Sequence, residues 1–273
     1  MAADASPQAE VKTLGAAARR EAAALAAHAR SLDAAGWEAP SWCVGWSVRE
    51  VVAHLAEGMD RFGQQVRGAL AGQPVEFTMP ERDARRAQVK ALPTAELPTL
   101  LERNTAAFFD HVEGLAGDDL TRPLVPMAAG LTPIRQVAQL RLAELALHRW
   151  DVRVPTDPTA TVDAEAAGLL VDWVLGGAPR QAKREALEGV RATLRCDTTG
   201  PGGGPLTLAV HDGAVEARRG APESADATIH LPVEAWTRLV WGRLPRAELD
   251  GGAVRIEGDR EAVLALWRAF GSR

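Results

Sequence analysis

The sequence lacks any run of about twenty apolar residues, so it offers no helical membrane span. It lacks a basic excess: 31 lysines and arginines face 36 acidic residues, and a net charge of −5 argues against a nucleic-acid binder driven by phosphate contacts. Cysteine is nearly missing. Cys43 and Cys196 stand far apart, outside any CxxC pair, and a reducing cytoplasm is the natural compartment. The opening residues show no basic segment followed by an apolar core, so no secretory signal is expected. Tyrosine is absent, and aromatics are few apart from eight tryptophans. The glycine-rich stretch 200–205 lacks a following Lys-Ser/Thr, which excludes a phosphate loop and leaves a flexible hairpin connection.

What is present fits a soluble chain of two domains. The 273 residues are 47% hydrophobic, enough to bury a core. The most informative stretch is residues 134–152, apolar on nearly every side, as a buried helix is. Thr132 is expected to cap it, with Pro133 in its first turn. One stripe of it is nevertheless polar. Arg141, Glu144, His148 and Asp151 follow at steps of three, four and three, so they share a face. Buried carboxylates are tolerated when paired, hydrogen-bonded or bound to metal. Glu144 and His148 can reach one ion from one helix; equally, Glu144 can pair with Arg141 and His148 can be a satisfied core histidine.

Three more helices precede it. Residues 8–32 carry Leu14, Ala18, Glu21, Leu25 and His28 on one face, among alanines that permit close packing. Ser47-Val-Arg-Glu50 reads as a capping box that opens a second helix with the stripe Val48, Val51, Val52, Leu55, Met59, Phe62 and Val66. His54 falls on or beside that buried stripe. Residues 72–93 read as a long connection with a short helix at 82–89, and residues 94–115 as a third long helix, delayed by Pro98. Pro123 and Pro126 mark a linker. Four long helices predict a four-helix bundle over residues 1–154, and such bundles build metal sites from facing helices.

After a linker at 154–158 the period changes. A helix at 163–175 leads into strands at 192–196, 206–210, 214–217 and 227–230, with a tight hairpin turn at His211-Asp-Gly213. A helix at 233–241, a strand at 253–257 and a helix at 261–270 complete an α+β domain, residues 159–273.

The segment Pro40-Ser-Trp-Cys-Val-Gly-Trp-Ser-Val-Arg-Glu-Val-Val-Ala-His-Leu55, followed by the helix with Arg141, Glu144, His148 and Asp151, resembles the mycothiol-dependent maleylpyruvate isomerase family. The N-terminal half resembles the DinB-like metal-binding bundle and the C-terminal half the sterol carrier protein-like domain. The resemblance implies zinc, or another divalent metal, held by His54, Glu144 and His148, with mycothiol as the thiol cofactor and an actinobacterial source. It implies an isomerase or thiol S-transferase in which a metal-bound thiolate adds to an electrophilic small molecule; three protein ligands leave a zinc site open for this. The alternative is a non-catalytic protein that binds a metal and an apolar ligand. Asp151 is expected to orient a ligand or a neighbouring arginine. An arginine from the C-terminal domain is implied for substrate carboxylates, with Arg218, Arg219 and Arg243 as candidates; Arg82 and Arg141 can add positive charge from the bundle. Cys43 reads as packing. The expected partners are the electrophile and a low-molecular-weight thiol, in a monomer or homodimer.

Overall fold

The computed structural model describes residues 6–127, 130–251 and 253–271. Residues 1–5, within the stretch read above for a signal, lie outside the described residues. Tertiary contacts divide the chain into Met1–Ala160 and Thr161–Arg273. No described helix is long and apolar enough to cross a membrane.

The first unit is an all-α bundle with a small hairpin. Helix α1 (Pro7–Arg30) is capped by Ser6, and Leu14, Ala18, Glu21 and Leu25 are buried along one face. A short helix α2 (Ala34–Glu38) precedes α3 (Val48–Leu70), which starts at the Ser47/Glu50 capping box with both reciprocal hydrogen bonds formed. Helix α4 (Met79–Lys90) is longer than the sequence suggested, because Thr78 and Glu81 form a second capping box. No residue of α4 is buried. Ion pairs hold it to α3: Arg85 reaches Glu57 at 3.0 Å and Asp60 at 2.6 Å, and Lys90 reaches Glu50 at 2.6 Å. Helix α5 (Leu97–Glu113) begins three residues later than read, with Pro98 in its first turn.

The expected linker after α6 (Gly117–Thr121) is instead an antiparallel pair, β1 (Pro123–Met127) and β2 (Gly130–Pro133). Prolines 123, 126 and 133 lie in this two-stranded ribbon, where edges are free and a missing N–H is tolerated. Thr132 therefore does not cap the next helix. It belongs to β2, its hydroxyl donates to the Gly130 carbonyl, and α7 (Ile134–Arg153) starts without a side-chain cap. Burial stabilises α7 instead: thirteen of its residues are inside, including Trp150. Helices α1, α3, α5 and α7 are the four long members of the bundle.

In the second unit, α8 (Ala164–Gln181) is capped by Asp163. The sheet runs in the order β5-β4-β3-β6-β7, with β3 (Ala192–Thr199), β4 (Gly204–His211), β5 (Ala214–Arg219), β6 (Ala227–Pro232) and β7 (Arg255–Gly258). Among the described strands only β3 and β6 pair in parallel, and that long-range pairing is invisible to strand periodicity. Alternate residues of β3 and β6 are buried, so one face of the sheet is covered. Helices α9 (Val233–Val240), α10 (Arg246–Gly251) and α11 (Arg260–Ala269) complete the unit; α10 is one the periodicity missed. Asp212 and Gly213 both have positive φ, at 51° and 75°, which makes the β4–β5 connection a two-residue hairpin turn. The architecture is thus a helical bundle followed by an α+β domain.

Candidate metal centre

Two helices and one loop converge in the bundle. His54 lies on α3, one turn after Val51; Glu144 and His148 lie one turn apart on α7. His54 Nε2 is 2.8 Å from Glu144 Oε2, and His148 Nε2 is 3.5 Å from the same oxygen. One donor atom from each of the three lies within 4.8 Å of the others. Glu144 thus pairs across the bundle with His54 rather than along its helix with Arg141. Donors held at about 2.1 Å in a tetrahedral shell stand roughly 3.4 Å apart. The His148–Glu144 distance already matches that spacing; the His54 contact would open by less than an ångström.

Behind His148 sits Asp151, completely buried. Its Oδ2 accepts from His148 Nδ1 at 2.8 Å, which leaves Nε2 facing Glu144. The Cys43 thiol donates to the same oxygen at 3.1 Å and lies 3.6 Å from His148 Nδ1. These contacts come from the loop between α2 and α3. Pro40 and Ser47 form an isolated bridge, Ser41 N–H donates to the Trp46 carbonyl, and Gly45 turns the chain at φ 77°. Trp42 N–H donates to the Asp151 carbonyl at 2.8 Å, and the Trp42 and Trp150 rings meet edge to face at 5.1 Å. That tie carries Cys43 to Asp151. It also sets the Trp46 ring against both histidines, 5.1 Å from His54 and stacked 6.2 Å from His148. Arg86 of α4 lies over Trp46 at 5.2 Å. Cys43 and Trp46 are the residues that sequence reasoning left out of the site; three tryptophans within ten residues of the capping box were the available signal.

The electrostatics follow from burial and pairing. Burial alone would raise the Glu144 carboxyl, but hydrogen bonds from His148 and His54 outweigh it and hold the group well below the usual range. Burial opposes a charge on His148 too; Asp151, Cys43 and Glu144 overcome it and hold the imidazole well above its ordinary value. His54 is pushed down, chiefly by burial. Arg141 is 1% exposed, and burial lowers it to about 10.

The remaining candidates are one arginine of α4 and three of the second unit. Arg82 is an exposed residue of α4 and lines a surface pocket with Gln65 and Glu76 beside β1 and β2. Arg218, Arg219 and Arg243 belong to the second unit. Arg218 donates to the Arg219 carbonyl, Arg219 pairs with Asp172 at 2.5 Å, and Arg243 donates to the Trp241 carbonyl. Cys196 is buried in the sheet, and its thiol is pushed up to about 12 by burial, so it is no nucleophile.

Residues 18–153 match the mycothiol maleylpyruvate isomerase N-terminal domain, and residues 174–271 match the SCP-2 sterol transfer family. These define a two-domain protein, a DinB-like helical region followed by a sterol carrier protein-like domain. The chain belongs to the mycothiol-dependent maleylpyruvate isomerase family. Among solved structures, a crystal structure of the mycothiol-dependent maleylpyruvate isomerase aligns with TM-score 0.60 and 16% identity, over 90% of this chain and 92% of that chain. A mutant of that enzyme aligns with the same values. The sterol carrier protein domain 2 of Helicoverpa armigera aligns at TM-score 0.31 and 20% identity, over 38% of this chain and 89% of that chain. No curated protein matches the chain.

Proposed function

We propose that this chain is a divalent-metal, thiol-using enzyme, a maleylpyruvate isomerase-like cis–trans isomerase or a thiol S-transferase. The observation that carries the reading is the convergence of two imidazole nitrogens and one carboxylate oxygen, from two helices, within 4.8 Å. This donor set suits zinc, and three protein donors leave a fourth position open. A divalent ion there supplies a Lewis acid that makes a thiol deprotonate near neutral pH.

The chain's own residues do the rest. His54, Glu144 and His148 hold the ion. Glu144 is therefore spent as a ligand and is not assigned as a proton carrier. Asp151 fixes the His148 ring with its Nε2 toward the site. The Trp46 ring packs on both histidines. In the isomerase form of the reaction, the thiol adds across an activated double bond, the resulting single bond rotates, and the thiol is expelled as the bond re-forms. In the transferase form, the adduct is kept or another group leaves. The family relationship supports mycothiol as that thiol.

The test is turnover of maleylpyruvate, and of a model electrophile, with and without mycothiol, on protein whose metal content has been measured. About one zinc per chain and a thiol-dependent rate are expected. A metal-loaded protein without any thiol-dependent rate points to a non-catalytic binding role. Asp151→Asn keeps the shape but weakens the acceptor for His148. Metal affinity should fall by about 10–100-fold, read by competition with a chromophoric chelator. Unchanged affinity would mean that Asp151 does not set the ring.

A further inference from the structure

Helix α4 has no buried residue, so no core side chain anchors it. Its first six residues, 79–84, are all exposed. What holds it is polar and lies on its second half. Arg85 donates to Glu57 at 3.0 Å and to Asp60 at 2.6 Å, and Arg86 lies 5.2 Å over the Trp46 ring. Lys90 donates to Glu50, and Arg49 donates to the Lys90 carbonyl at 3.1 Å. The first half is not drawn inward. Arg61 is held below its ordinary value chiefly by burial, and the charge of Arg82 lowers it further, so Arg82 repels the helix α4 rests on. A cavity of about 340 Å³ separates α4 from α5, lined by Glu57, Asp60, Arg85, Gln88, Arg103 and Asn104.

The helix can leave without stranding a buried charge. Glu57 is 5% exposed, but it still accepts from Arg61 at 3.4 Å once Arg85 departs. Asp60 keeps Gln64 at 2.8 Å, and Trp46 keeps its contacts with both histidines. The helix can also move as one piece. Its Thr78/Glu81 capping box and its Asp83–Arg86 pair at 2.7 Å are internal to it. Gly72, at φ 68° with open space around it, supplies a pivot before the helix, and Pro93 stands just beyond the Arg49 tie. Arg86 sets α4 at the edge of the metal cluster, since Trp46 stands 5.1 Å from His54.

We propose that α4 is a hinged cover on the His54–Glu144–His148 cluster, latched by Arg85 and Arg86, and that its first half swings out to admit the thiol. This rests on the enzyme reading above. The Arg49 and Lys90 ties stay closed and mark the hinge end; the Arg85 and Arg86 contacts break and re-form. Exposed ion pairs and cation–π contacts are each worth about a factor of two to five, and salt weakens them. Elements held this weakly are the ones that serve as lids.

The test uses the full chain with Cys43→Ala and nitroxide labels at Ala84→Cys on α4 and Ala107→Cys on α5, both exposed positions. Cys196 is buried and stays unlabelled. Pulsed electron paramagnetic resonance should show a short and a long distance together. Arg85→Met with Arg86→Met should enlarge the long-distance population about tenfold, and raising sodium chloride from about 0.05 to 1 M should enlarge it in the unaltered latch. A single distance that neither change moves would overturn the proposal. So would a loss of helical circular dichroism equal to the 12 residues of α4, which would mean melting rather than a swing. In the unlabelled, zinc-loaded chain, excess pyridylazoresorcinol should strip zinc about tenfold faster from the double variant, and salt should accelerate the wild type more than the variant. Stripping that ignores the double variant while the distances shift would overturn the role of α4 as a cover. Distances that shift in a chain that binds no zinc would instead sink the enzyme reading and leave the motion standing.

Discussion

His54→Ala is expected to lose its metal. Structural zinc sites of four ligands bind with about 10–16 kcal/mol, roughly 3 kcal/mol per ligand, so removing one weakens binding about 100-fold. Dialysis against a mild chelator followed by elemental analysis should find close to one ion in the wild type and almost none in the variant. The helix should survive, since α3 is anchored by its capping box and by the buried Val51, Val52, Leu55 and Met59. Circular dichroism checks this. Cys43→Ala is the companion control. Cys43, His148 and Asp151 form a second group of convergent donors. There, however, Asp151 is fully buried and its Oδ2 already accepts from His148 Nδ1 and the thiol. Cys43→Ala should keep its metal; loss of the ion in that variant, with retention in His54→Ala, would move the site to the second group.

Arg238→Ala is expected to produce the largest loss of stability. Arg238 is 1% exposed on α9, and its fork holds Glu234 at 2.8 and 2.9 Å and also donates to Glu248. Glu234 is itself buried. Truncating the arginine leaves that carboxylate inside without a counter-charge, a change that costs about 3–5 kcal/mol. For a domain of this size, a thermal transition lowered by more than about 10 °C should follow. Replacing the three partners together with apolar residues of similar volume, Arg238→Met with Glu234→Leu and Glu248→Leu, should restore most of the loss. If the single variant melts within about 2 °C of wild type, far less than that penalty requires, the network contributes little.

Much of the first unit could be read from the chain. The Ser47–Glu50 box, the apolar stripe of α3 and the all-round apolarity of α7 each act within a few residues, and each appears in the structure where the pattern lies. The same holds for Asp212-Gly213, where positive φ at both positions is a local demand. The misreadings are equally local. Pro123 and Pro126 suggest a linker because proline argues against strands, but a two-stranded ribbon with free edges tolerates them. Thr132 looked like a cap because its position before Pro133 fits one; pairing with β1 claimed it first. Thr78 and Glu81 form a capping box as complete as the first, and only the proline content around them hid it.

By itself the sequence determined where chemistry could be carried. Its helix period places Arg141, Glu144, His148 and Asp151 on one face and sets His54 beside a buried stripe. It could not say which carboxylate meets which base, because that depends on how two helices pack side by side. Packing decided that Glu144 crosses to His54 while Arg141 lies against Gly58. The fold of the loop before Ser47 likewise decided that Cys43 and Trp46 border the cluster. Spacing along a helix is fixed by covalent geometry; contact between helices is fixed by the side chains that fill the gap between them.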